Sequence, residues 1–180
     1  MNLSLLFSTS ERIEILRAVV FLEKEFRVSE TAKKLKVSKG LVSKYFGILM
    51  KEKLLSRKGG NKLIVENNVS VKSIKLVLNL LAVNMVSFKK FGFVKAAGLY
   101  GSCAKGANTE SSDLDLWVLT GKAQDMQLAG FSAEVKKKLP KARLFFLTKE
   151  KLEALKKSDS LFYNSLFFGS IIVYGAENAL

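Results

Sequence analysis

Apolar residues recur at helical spacing in three blocks near the start of the chain. Ser10, followed by Glu11 and Glu14, opens the first block in capping fashion, and Ile13, Leu16, Val20 and Phe21 form its apolar stripe. A second block starts at Ser29, with Ala32 and Leu35 facing inward. Lys36-Val37-Ser38 then turns the chain. Ser38 caps a third block carrying Leu41, Val42, Tyr45, Phe46, Leu49 and Met50 at helical spacing. Short helix, tight turn and capped helix make a helix-turn-helix pattern. After it, Leu54-Leu55 and Leu63-Ile64-Val65 flank a Lys58-Gly59-Gly60-Asn61 tip, which predicts a β-hairpin.

Residues 71–90 predict one further helix, with Ile74, Val77, Leu78, Leu81, Met85 and Phe88 on one side. That apolar face is wider than a solvent-facing linker needs, so it is expected to pack between domains or in a homodimer contact. Beyond it the period changes. Val94–Tyr100 reads as a strand of small apolar residues, Asp113–Leu119 as a second strand, and Lys141–Leu147 as a third after a helix ending at Pro140. A short helix follows, with Leu152 and Leu155 inward and Glu150 and Glu153 exposed; then comes an aromatic-rich patch, residues 161–168, read as core or dimer face. The class expected is α+β, with boundaries at 1–68, 69–91 and 92–180.

Charge sharpens this division. The chain has 30 Lys and Arg against 16 Asp and Glu, a net charge of +14. Residues 1–90 hold 18 of those basic residues and 7 of the acids; the second half is far closer to balance. A polyanion is the natural partner for such a surface, and nucleic acid is the commonest one. A solvated lysine-rich surface gives the same composition. One cysteine excludes an internal disulfide framework, and the lack of any histidine removes Ser-His triads, Cys-His pairs and most zinc sites. The apolar run Leu76–Val86, interrupted by Asn79 and Asn84, is short for a membrane span. No membrane association is expected, and the chain reads as cytoplasmic.

The candidate chemistry lies at residues 101–116. Gly101-Ser102-Cys103-Ala104-Lys105-Gly106 follows the first strand of the second half, and Asp113-Leu114-Asp115-Leu116 opens the next. The P-loop pattern fails because Ala107-Asn108 stands where Lys-Ser/Thr is required. The dinucleotide-binding glycine spacing and the EF-hand loop fail as well. Asp113 and Asp115, two residues apart on a strand, project from one face. Such a carboxylate pair is what hard Mg²⁺ asks for. The Gly-Ser turn supplies backbone N–H groups and a hydroxyl for phosphates, and Lys105 adds a positive charge. Cys103 is read as a small filler in that turn.

The stretch GSCAKGANTESSDLDL resembles the DNA polymerase beta-type nucleotidyltransferase superfamily, specifically its minimal members. The match rests on Gly101, Ser102, Ala104, Lys105, Gly106, Ser112, Asp113, Asp115 and Leu116, with lysine where arginine is more usual before the second glycine. The resemblance covers about residues 92–176 and implies a mixed sheet with flanking helices. It also implies a nucleoside triphosphate held by Gly101, Ser102, Lys105 and Ser112, Mg²⁺ (or Mn²⁺) held by Asp113 and Asp115 as the catalytic pair, and transfer of a nucleotidyl group to an acceptor hydroxyl. Minimal members are often one half of a two-protein system, which implies a toxin-like protein partner. A third carboxylate is expected on a later strand, yet Lys141–Leu147 has no acid; Arg143 or Phe145 stands in its place. That leaves a second reading, a transcriptional regulator whose degenerate domain only senses nucleotide.

Residues 10–68 resemble the winged helix-turn-helix family of DNA-binding domains. That resemblance implies Lys39, Gly40, Ser43 and Lys44 at the DNA major groove, and Arg57, Lys58 and Lys62 on the wing. The third helix begins with no Arg, Asn or Gln able to read a base edge bidentately, so contacts mainly to the DNA backbone are expected.

Overall fold

A computed structural model describes residues 1–175. The chain divides into two compact units, Met1–Lys75 and Leu76–Leu180.

The first unit opens with a short helix α1 (Leu3–Leu6), then α2 (Ser10–Val19), α3 (Val28–Leu35) and α4 (Lys39–Lys51). The cap of α2 is Thr9, whose hydroxyl accepts from Arg12 N–H, one residue before the Ser10 expected. The helix α3 likewise starts a residue early, at Val28, and Glu30 reaches back to accept from Arg27 N–H at 2.9 Å. Lys36 closes α3 in the left-handed conformation (φ 56°) and permits the tight turn into α4. Ser38 caps α4 by accepting from Leu41 N–H at 3.1 Å. Val42, Tyr45, Phe46 and Leu49 of α4 are buried, as are Ile15, Leu16 and Val19 of α2, Val20 just after it, and Ala32 of α3. The hairpin β1 (Leu55–Gly59) and β2 (Lys62–Val65) is antiparallel, with Leu55 opposite Val65. Phe26 pairs with Leu63, which ties the hairpin back to the loop before α3.

The helix α5 (Val69–Val83) contains the division between the two units. By length and composition, Val69–Lys90 would pass for a membrane-crossing segment, with mean hydropathy 1.6 over its most apolar 18 residues. The α-helix nevertheless stops at Val83 rather than running to Lys90. Its last bonds tighten, Met85 N–H to Ala82 O and Val86 N–H to Val83 O, and a short 3₁₀ turn follows at Phe88–Lys90. The cause is tertiary, because Val86 and Phe88 are both buried in the core of the second unit. The single apolar side expected for this segment is also divided. Ile74 and Leu78 are buried, whereas Val77, Leu81 and Met85 are exposed.

In the second unit, β3 (Val94–Leu99), α6 (Gly101–Ala104), β4 (Leu114–Thr120), α7 (Asp125–Lys138), β5 (Ala142–Leu147), α8 (Lys149–Ser158), α9 (Ser160–Gly169) and β6 (Ile171–Tyr174) build a four-stranded mixed sheet. Its order is β5-β4-β3-β6. The β3–β4 and β3–β6 pairs are antiparallel, and β4–β5 is parallel. Side chains alternate across it, so β4 feeds two cores. Leu116 and Val118 join Phe131 and Val135 of α7. Trp117 and Leu119 join Leu152 of α8 and Leu166 of α9 on the other face. The aromatic-rich helix α9 thus contributes Leu166 to the core while Leu161 and Phe168 are exposed.

Candidate functional site

The strand β3 ends at Leu99, and the chain turns into α6 at Gly101, whose φ of 68° is left-handed and suits glycine. A Cβ there would stand 3.0 Å from Asp115 Oδ2. The missing side chain is therefore what lets this backbone turn lie directly against the Asp115 carboxylate. Tyr100 N–H donates to Asp115 O at 3.0 Å, and Cys103 Sγ–H donates to Asp113 O at 3.3 Å, so the turn is pinned to the start of β4. Asp113 lies one residue before β4 and is exposed; Asp115 is on it and half-buried. Burial pushes the Asp115 carboxyl up, the nearby Asp113 charge adds to that, and Arg143 opposes it. Burial also raises the Cys103 thiol, to about 11, which fits an inert filler.

Gly101, Ser102, Asp113 and Asp115 gather at this end of the sheet. Lys105 follows α6 as an exposed cation. Ser112 is engaged elsewhere: its hydroxyl accepts from Thr109 N–H at 2.9 Å and closes the loop between α6 and β4. Glu150 and Glu153 are exposed on α8, which follows the other end of β5.

Two features were not visible in the spacing. Asn79 of α5 is buried, donates to Cys103 O and to Asn108 Oδ1, both at 2.9 Å, and accepts from Asn108 Nδ2 at 3.2 Å. This amide pair braces the turn from beneath. The second feature is Arg143. Parallel pairing sets it directly beside Asp115, and its Nη1 lies 3.1 Å from Asp113 Oδ2. Of the two residues that could stand in the place of a third carboxylate, Arg143 is the one beside the pair. Among the described residues no group of three or more histidine, cysteine, aspartate or glutamate side chains is arranged to hold a metal ion. The donor set, two carboxylates opening onto a backbone turn cleared of its Cβ, fits one hard divalent cation.

In the first unit the groove between α4 and the hairpin has a volume of about 680 Å³. Lys39, Ser43, Arg57 and Lys62 line it, together with Arg27, a cation the pattern did not point to. Gly40, Lys44 and Lys58 are exposed nearby in sequence but are not part of that lining. Lys62 is held by Glu25 at 2.8 Å, which offsets part of its charge.

Residues 86–178, just over half of the chain, match the family described as polymerase beta, nucleotidyltransferase. The chain belongs to that family. Its second unit is a nucleotidyltransferase domain, with the mixed sheet and flanking helices expected of one. A search of curated proteins found no match. Among solved structures, the chain is similar to the tri-AMPylated HEPN toxin of Shewanella oneidensis in complex with MNT antitoxin, at 12% identity over 57% of this chain and 74% of that one, with a TM-score of 0.37. It is similar to a toxin-antitoxin complex with AMP-PNP, at 14% identity over 55% and 75%, TM-score 0.41. A protein of Sulfolobus solfataricus described as a candidate nucleotidyltransferase gives 15% identity over 63% and 93%, TM-score 0.39.

Proposed function

We propose that the chain is a Mg²⁺-dependent nucleotidyltransferase carrying its own DNA-binding domain. In this reading the first 68 residues are a winged helix-turn-helix, and the nucleotidyltransferase domain takes a nucleoside triphosphate at the turn 101–106. The observation that supports it is the close approach of the Gly101 turn to Asp115 Oδ2, which sets the Gly-Ser turn beside the carboxylate pair.

Asp113 and Asp115 would hold Mg²⁺ or Mn²⁺, and such an ion supplies charge that steadies the departing pyrophosphate. The chain's own groups do the positioning. Backbone N–H groups of the turn and the Ser102 hydroxyl meet phosphate oxygens, and Lys105 adds a point charge. The acceptor oxygen bonds to the α-phosphorus as the bond to pyrophosphate breaks, and the acceptor's proton passes to solvent. Orientation and charge, rather than covalent chemistry on the protein, would carry such a transfer. The test is incorporation of label from an α-labelled nucleoside triphosphate into any acceptor in a cell extract. Asp115→Asn should abolish it, and unchanged incorporation in that variant would refute the site.

The second reading, a regulator whose domain binds nucleotide without transferring it, is favoured by the Arg143–Asp113 pair at the carboxylates. It predicts nucleotide binding with no transfer, and DNA binding modulated by nucleotide.

For DNA, the supporting feature is the groove edged by Arg27, Lys39, Arg57 and Lys62. Phosphate neutralisation by such groups makes affinity fall steeply with salt. Replacing Lys39 and Arg57 with alanine should weaken binding alike across DNA sequences and flatten that slope by about two. A sequence-dependent loss with an unchanged slope would contradict backbone docking.

A further inference from the structure

Asp113 and Asp115 together carry two negative charges, and Arg143 returns one positive charge to the same spot. Its guanidinium is placed there twice over. The parallel β4–β5 register sets Arg143 beside Asp115, and an ion pair at 3.1 Å joins it to Asp113. The side chain is mostly exposed, at 73%, so neither burial nor packing accounts for its direction. An exposed ion pair contributes little to stability, which makes a structural role a weak reason for the arrangement.

We propose that Arg143 is a built-in cation of the nucleotide site: it limits the carboxylate pair to one divalent ion and binds a phosphate oxygen of the triphosphate. The inference rests on the reading of Asp113 and Asp115 as the metal-holding pair. A single divalent ion placed on the two carboxylates already exceeds their residual charge once Arg143 is counted. A second would have to sit against a guanidinium, where like-charge repulsion opposes it. One oxygen of Asp113 is also already engaged by Arg143. Meanwhile a guanidinium has five N–H donors, more than one carboxylate oxygen uses. Its planar fork matches phosphate geometry, and a triphosphate laid along the turn at Gly101 and Ser102 brings oxygens to the same end of the sheet.

The experiment counts Mn²⁺ bound per chain, by calorimetry and by electron paramagnetic resonance, at saturating non-hydrolysable nucleoside triphosphate. Wild type should bind one ion. Arg143→Asp, which supplies a third carboxylate, should bind two. Arg143→Gln should keep one ion but lose about 10- to 100-fold in nucleotide affinity, the loss of one charge-assisted hydrogen bond. Circular dichroism and the fluorescence of Trp117 verify that each variant is folded. Two ions in wild type, or one ion in a folded Arg143→Asp that still binds nucleotide, would overturn the inference and leave the nucleotide reading standing. Should Arg143→Asp fail to fold, unchanged nucleotide affinity in Arg143→Gln would overturn it. Wild type that binds neither nucleotide nor Mn²⁺ would overturn the nucleotide reading itself.

Discussion

Replacing Asn79 with leucine, which keeps the branching of the side chain and removes its polar atoms, takes away the amide beneath the turn. Asn79 makes three hydrogen bonds there, to Cys103 O and, in both directions, to the Asn108 amide. Each such bond contributes about 1 kcal/mol net, and leaving a buried polar group short of a partner adds about 1–3 kcal/mol. The expected loss is about 4–6 kcal/mol, a sizeable part of the roughly 5–15 kcal/mol that holds a typical domain folded. It should lower the melting temperature of the second unit by about 10 °C or more. Trp117, the chain's one tryptophan, is fully buried in this unit, so its fluorescence during urea unfolding reports on this unit alone. The double variant Asn79→Leu/Asn108→Leu should lose clearly less than the two single losses combined, since removing both partners strands neither. A loss below about 0.5 kcal/mol in Asn79→Leu would refute the claim that this pair braces the turn.

Other consequences follow from single contacts. Gly98 lies opposite Trp117 in the β3–β4 pair, and a Cβ there would overlap the indole. Gly98→Ala should therefore cost about 3 kcal/mol or more in urea melts read by Trp117, and a neutral result would contradict the packing. The Cys103 thiol, raised to about 11 by burial, should resist alkylation by iodoacetamide in the folded protein at neutral pH and react on unfolding. Rapid native-state labelling would contradict its burial. Tyr45 donates to Leu6 O at 2.8 Å, and burial raises its phenol from 10.0 to about 12. Between those values the folded state holds a proton that the unfolded state has lost, so stability falls as pH rises from 10 to 12. Tyr45→Phe should remove that part of the alkaline loss, and an unchanged pH profile in denaturant melts would argue against it.

Much of the fold was legible because it is locally encoded. Ser38 carries the cap that starts α4, and the Gly59-Gly60-Asn61 tip carries the turn, so both elements stand where the pattern places them. The Gly-Ser and Asp-x-Asp segments were legible for the same reason: the chemistry of each is contained in a few adjacent residues. What escaped depends on distant chain segments. Arg143 reaches Asp113 only through the parallel register of β4 and β5, which no spacing in the chain specifies. Asn79 and Asn108, 29 positions apart, each read as an interruption of an apolar stretch or as a loop residue until the fold joins them. The end of α5 was misjudged because Asn84 and Ser87 break a helix only weakly, whereas burial of Val86 and Phe88 in the second unit redirects the chain. Arg27 joins the basic groove because the Phe26–Leu63 bridge ties the start of α3 to the hairpin.

The most direct test of the nucleotide site is calorimetric titration of the full chain with a non-hydrolysable nucleoside triphosphate, with and without Mg²⁺. Wild type and the Asp113→Ala/Asp115→Ala variant are compared. The account predicts binding that depends on Mg²⁺ in wild type and is lost in the variant. Absence of binding in wild type, or binding of equal strength in the variant, would contradict it.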